Sequence, residues 1–440
     1  MKRNSLQATT PVLFIAACWT FATPDASAAT RTWNASVSGN TQTWLPGTAF
    51  SPSGLNDGDT IIFPNSNVHL RSIYNAGDYD LSRVEFRKAG YLVEKSGNFT
   101  RISSRRWQIN QTSQSVSLAC ELANMFGPTV IEVTNAGAGF ELDGGIYANN
   151  TSGSPITIQG AGNVTVTTLS DDRNPASIIK NGTGTLSIVG DNTLRNATIQ
   201  LNSGYLFCGG SVWSGNCHTT IGSGGTLLGS GVVGSIENRG IIRPGQTVSS
   251  DTRAYTLTVY GPVTSPAGSS ASVVLSGYAD GSMDSLTVYK TSDFGGSTLL
   301  FQLNAGFKPV IGEPITLVRS AGDASSSKPF SNLSEGQLFY FPSQPRIFYQ
   351  TTYRGGPNGN SMTLTRVATP LPSLNSTMTS GGLQLSFLGQ PNTVHQLQYS
   401  TDLIHWSNVL QINLGADGTA IETRPLSDPN GFYRTAPIEL

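Results

Sequence analysis

The chain has 440 residues and a net charge of −1, and only 12% of its residues are Asp, Glu, Lys or Arg. About 25% is ordinary for a soluble domain, so no basic field exists to attract nucleic acid or an anionic membrane. Forty-nine glycines lie between short β-branched runs, which argues against a helical enzyme and for many turns, since glycine takes positive φ at little steric cost.

Lys2 and Arg3 precede an apolar run from Pro11 to Ala22, and small residues follow at Ala26–Ala29. That order reads as a secretory signal peptide over residues 1–28, with a run too short to span a bilayer as a mature helix. Two processings fit. Cleavage near Ala28 follows the small-x-small rule. Ile15, Ala16 and Ala17 before Cys18 instead spell a lipoprotein signal that would leave Cys18 acylated. The run continues past Cys18 into Trp19 and Phe21, which favours the first. No later stretch is apolar enough for a transmembrane helix. The mature chain is therefore expected to be secreted or on the outer surface of a bacterial cell.

Residues 29–180 read as an N-terminal β region. Trp33 and Trp44 are expected to plug the end of a stack of strands, although they, Trp107 and Trp213 are also residue types that stack on sugars. Asp57 and Asp59 in NDGDT read as a turn, because calcium needs six to eight oxygens and only two carboxylates are evident. SLACELANM (Ser117–Met125) is the one helix-like segment. The adjacent Asp171 and Asp172 resemble the paired acids of a glycosidase. Neighbours on a strand point to opposite faces, however, and DDRNP is more simply a turn.

From Asn181 to Gly245 the chain revisits one grammar: a glycine-containing turn, one strand, another turn. TLSIVG, ATIQL, TLTVY, SLTVY, TLLFQL, MTLTRV and LQLSF all alternate polar with apolar residues. GSGVVG (Gly229–Gly234) spells a dinucleotide fingerprint but opens no helix, since ENRGIIRPG breaks at Gly240 and Pro244. It reads as a glycine-rich turn. Cys208 and Cys217 are spaced to close a hairpin-like loop, so a disulfide there is one of two open readings, with Cys120 a buried thiol. Trp213, inside that loop, is the best candidate for an exposed contact residue. His69, His218, His395 and His405 form no metal-ligand pattern, and no serine stands in a nucleophile elbow.

NGTGTLSIVGDNTLRNATIQLNSGYLFCGG (Asn181–Gly210) resembles an autotransporter-associated β-strand repeat, with Gly184, Thr185, Leu186, Ile188, Gly190, Asn192 and Thr193 on its motif and Thr198, Leu201, Gly204 and Leu206 following. GGTLLGSGVVGSIENRGIIRPG, TLTVYG and MDSLTV continue it in the family's order, and residues 295–322 and 353–367 resemble its usual close. The resemblance covers residues 181–367 well and 32–180 loosely. It implies a right-handed parallel β-helix exported to the surface, without catalytic residues. Such proteins carry a C-terminal membrane barrel, and the 73 residues after Val367 are too few for one.

Residues 368–380 read as a Pro-containing linker, and residues 381–440 as a small β-sandwich with Trp406 and Phe432 in its core. The expectation is thus an all-β solenoid followed by a small β module, with no catalytic, cofactor or metal site. It would be a structural or adhesive protein whose partners are surface polysaccharide or other extracellular matrix, not nucleic acid. A polysaccharide-binding or polysaccharide-degrading protein on the same scaffold is the alternative.

Overall fold

A computed structural model describes residues 28–438, apart from 35–41, 46–48, 66–69, 98–100, 149–153, 172–175, 191, 193, 195, 211–216, 246–252, 322–325 and 426–430. The described residues form strands and no helix, arranged as a parallel β-solenoid followed by a sandwich-like pair of sheets.

Each coil contributes a strand to one face and a strand to a second, and both faces pair in parallel along almost the whole solenoid. Alternation dictates the core. On the second face Phe140, Val164, Leu186, Leu206, Leu227, Ile242, Val273 and Leu299 stand in register, one above another. All are buried, while most of their strand neighbours turn outward. The first face has a matching column, Ile131, Ile158, Lys180, Leu201, Ile221 and Asn238. Its two polar members are satisfied by backbone. Lys180 Nζ donates to the carbonyls of Asn181 (2.8 Å), Gly182 (3.0 Å) and Ser203 (3.3 Å). Asn238 Nδ2 donates to the Ser272 carbonyl and its Oδ1 accepts from Gly240 N. Burial without a carboxylate pushes the Lys180 ammonium down to about 8.

Glycine sets the corner between these faces. Gly160, Gly182 and Gly204 stack in successive coils with φ of +104°, +76° and +74°. A Cβ on each would lie 2.0–2.4 Å from a carbonyl oxygen of the coil below, that of Val133, Gly160 or Gly182. Coils about 4.8 Å apart leave no room for a side chain there. GSGVVG follows the same rule: a Cβ on Gly229, Gly231 or Gly234 would lie 2.0 Å, 2.4 Å and 2.0 Å from the carbonyl oxygens of Cys208, Gly210 and Cys217. The glycines serve coil stacking, and strands, not a helix, follow them.

A third face is built twice. Asp80–Leu81, Arg101–Ser104, Glu121–Ala123, Ile146–Ala148 and Leu169–Asp171 form a short sheet early on. Val232–Val233, Thr256–Val259, Ser285–Val288 and Pro314–Ser320 rebuild it later. The helix expected over Ser117–Met125 is not formed. Gln114–Leu118 and Glu121–Ala123 are strands on two faces, because Leu118, Cys120 and Leu122 all reach the core at the bend between them.

Both ends are closed. Phe50–Ser51 lies antiparallel on Thr30–Trp33, the first parallel strand. Trp33, Trp44, Phe50, Phe63 and Tyr74 fill the end with ring contacts of 5.1–5.9 Å. At the other end Leu338–Phe341, Gln344–Gly355 and Ser361–Val367 add an antiparallel cap, and Phe301, Phe339, Phe341 and Tyr349 pack together. The amide of Asn332 imitates a strand there: its Oδ1 accepts from Leu299 N and its Nδ2 donates to Leu299 O, both at 2.8 Å. An open parallel edge is a template for further pairing, and these groups occupy it.

The C-terminal module holds two three-stranded antiparallel sheets around Leu385, Phe387, Leu397, Ile412 and Leu414. It begins earlier than the sequence suggests, since Ser373–Thr379, inside the expected linker 368–380, is the edge strand paired with Gly382–Leu388. Trp406 and Phe432 are not in its core. Tyr433 takes the inward position on its strand, leaving Phe432 on the outer side at 44% exposure, and Trp406 lies beneath the Arg434 guanidinium at 4.1 Å.

Candidate binding surfaces

The tryptophans considered for sugar stacking divide by burial. Trp33, Trp44 and Trp107 are at most 1% exposed, so none offers a ring to a ligand. The first two are part of the terminal plug, and Trp107 packs on Phe140 at 5.8 Å. Trp213 lies outside the described residues, as do Cys18 and Asp172. The Cys208–Cys217 bridge is not formed: both, like Cys120, are buried thiols. Cys208 ends a second-face strand in the core, while Cys217 lies just before a first-face strand, its thiol directed at the Leu194 carbonyl. Burial pushes the Cys120 and Cys208 thiols up to about 12.

The acidic candidates are engaged. Asp59 is fully buried, pairs with the Arg31 guanidinium, and accepts from Ala29 N (2.8 Å) and Asn56 N (2.7 Å). Asp57 accepts from Asp80 N at 2.9 Å. These contacts make NDGDT a pinned turn. Asp171, the last residue of its strand, receives Asn196 N on its Oδ2 at 3.4 Å. Asp284, in MDSLTV, is buried and accepts from Tyr255 N, Ser276 N and the Tyr278 hydroxyl; burial raises its pKa against those three bonds.

The outer faces of the N-terminal half are laced with ion pairs. Arg71 meets Glu94, Arg101 meets Glu121, Arg105 meets Asp80 and Arg106 meets Glu132, at 2.5–2.8 Å. Arg101 also lies 3.5 Å from the centre of the Tyr147 ring, and Glu121 receives the Ser170 hydroxyl. A depression of about 150 Å³, open to solvent, lies beside this sheet between Asp80, Arg105, Asn124 and Phe126. It is shallow, its two charges neutralise each other, and the unpartnered Asn124 Oδ1 is sealed beneath the surface. A carboxylate held by an arginine is poorly placed to exchange protons with a substrate.

Two exposed features escaped the sequence reading. Tyr260 and Tyr289, 43% and 39% exposed, stack at 4.7 Å on the later third face. Their signal is the tetrapeptide LTVY, which occurs at 257–260 and again at 286–289. The second is the loop Ser400–Trp406. Asp402 accepts from Ile404 N, His405 N and His405 Nδ1 at 2.7–2.8 Å, and the His405 bond leads in holding its carboxyl well below the usual range. Leu403 and Ile404 are thereby fixed at 55% and 75% exposure.

Comparison with protein-family models gives no match, and none of the curated proteins matches the chain. Among the described residues, no group of three or more His, Cys, Asp or Glu is arranged to hold a metal ion. Nor is any helix there long and apolar enough to cross a membrane.

Proposed function

We propose that this is a secreted or cell-surface structural and adhesive protein that binds without catalysing. One observation carries the reading. Polar chemistry on the described surface is spread in rows along the solenoid, and the carboxylates of Glu94, Glu121, Asp80, Glu132 and Asp57 are each held by an arginine or by backbone. A rigid parallel stack suits this role because every coil presents its outward residues at a fixed repeat. The signal-like N-terminus and the passenger-like order of motifs over residues 181–367 support export. The partners are extracellular polysaccharide or matrix.

Incubation of the purified chain with a panel of extracellular polysaccharides and matrix preparations tests the reading. Retention without new reducing ends is expected; release of reducing ends would establish the degrading alternative. Mass spectrometry of the mature N-terminus distinguishes Ala29 from an acylated Cys18.

A further inference from the structure

The later third face differs from the early one, where Arg101 and Arg105 are paired with carboxylates, in its charge. Thr256–Val259 and Ser285–Val288 pair in parallel, with Thr256 opposite Ser285 and Thr258 opposite Thr287. Leu257, Val259, Leu286 and Val288 are fully buried, so Thr256, Thr258, Tyr260 and Ser285, Thr287, Tyr289 point outward as two matching rows. The Thr256 and Ser285 hydroxyls touch at 2.9 Å. Arg319, on the following coil, stands in register with Thr287 and diagonal to Tyr289. Lys290 follows Tyr289 directly, and both cations are exposed.

Neither cation has a carboxylate partner among the described residues, in contrast to the paired arginines of the N-terminal half. No Asp or Glu occupies the outward positions of these rows. The two tyrosine rings face each other, tilted by 34°, so they offer edges and hydroxyls more than an open stacking face. The strip is therefore an outward sheet face, rich in hydroxyl donors and locally positive.

We infer that this strip, centred on Tyr260, Tyr289, Lys290 and Arg319, binds an acidic polysaccharide chain. The inference rests on the adhesive reading and supplies a ligand class for it. Hydroxyl donors and two cations without a carboxylate partner among the described residues complement a polymer carrying both carboxylates and hydroxyls, and an outward sheet face with matching rows admits an extended chain. Nucleic acid and anionic lipid need a denser basic field than two cations on a chain of net charge −1.

Binding of the full chain to immobilised polygalacturonate is the test, with dextran, phosphatidylglycerol vesicles and single-stranded DNA as parallel arms. Retention on polygalacturonate that weakens as salt rises is expected, since exposed charges are screened beyond about 8 Å at physiological ionic strength. The R319Q/K290Q double variant should lose about tenfold in affinity, equivalent to about 1.4 kcal/mol. Y289A should weaken binding as well, whereas R71Q, at the far end of the solenoid, should not. Unchanged thermal melting would exclude misfolding as the cause. Equal binding by R319Q/K290Q, equal retention on dextran, or preference for vesicles or DNA would each overturn the inference. So would failure to bind polygalacturonate, and retention on other matrix material would then still leave the adhesive reading standing.

Discussion

Replacing Gly182 with alanine separates the two demands that a solenoid corner makes on a residue. Gly182 has φ of +76°, and a Cβ there would lie 2.3 Å from the Gly160 oxygen and 2.6 Å from its nitrogen. Gly268 has nearly the same φ, +77°, but nothing lies within 4 Å of the Cβ position. Both substitutions incur the left-handed cost of roughly 1–2 kcal/mol, and both recover about 0.4–1 kcal/mol because alanine restricts the unfolded chain. Gly182→Ala must also push two stacked coils apart, an overpacking cost of about 1–3 kcal/mol. Gly268→Ala should therefore cost about 1 kcal/mol and Gly182→Ala about 2–4 kcal/mol. Urea unfolding of the two variants beside the parent measures the gap. Equal losses would refute the claim that coil stacking, and not backbone conformation alone, requires glycine at this corner.

Lys180 gives a pH signature. Its folded pKa, about 8, lies below the ordinary 10.5, so the folded state holds fewer protons between those values and stability rises with pH there. From about pH 8 the buried Cys120 and Cys208 thiols oppose the gain, because their raised values make stability fall as pH rises. Between pH 8 and 9 the unfolding free energy of the parent, from urea titrations, should gain about 1 kcal/mol relative to that of Lys180→Met, whose stability falls with the thiols. Asp59→Asn leaves Arg31 buried without its counter-charge and should cost about 3–5 kcal/mol, read as faster amide exchange at the N-terminal plug. In the C-terminal module Phe387→Ala should cost about 3–5 kcal/mol, whereas Trp406→Ala, which loses a surface contact with Arg434, should cost about 1 kcal/mol or less. Thermal melts of the full chain compare them.

Alternation made the solenoid legible, since runs such as TLSIVG and TLTVY carry their buried and outward positions in the residue order itself. The plugging of the end by Trp33 and Trp44 was readable because a stack needs a closed end. Where several short strands meet at a bend, the pattern misled: Leu118 and Leu122 lie four residues apart, as on one helix face, but reach the core from two sheets, with Cys120 at the bend between them. Trp406 and Phe432 looked like core by residue type, yet parity on the strand assigns that place to Tyr433. The Tyr260–Tyr289 stack needed register, which sequence spacing supplies only after the length of each coil is known. Which cations lack a partner also depends on neighbours 20 or more residues away, as with Arg101 and Glu121 or Arg71 and Glu94.

The two closed ends have a consequence for how such a chain can change. Each interior coil pairs only with the coils beside it, while Phe50–Ser51 and Asn332 seal only the outermost strands. A whole coil inserted or removed between them leaves both seals intact. Length is thus a separable variable, and so is the distance at which the C-terminal module is held from the N-terminus. Point substitutions adjust the chemistry displayed along the stack, and duplications adjust its reach.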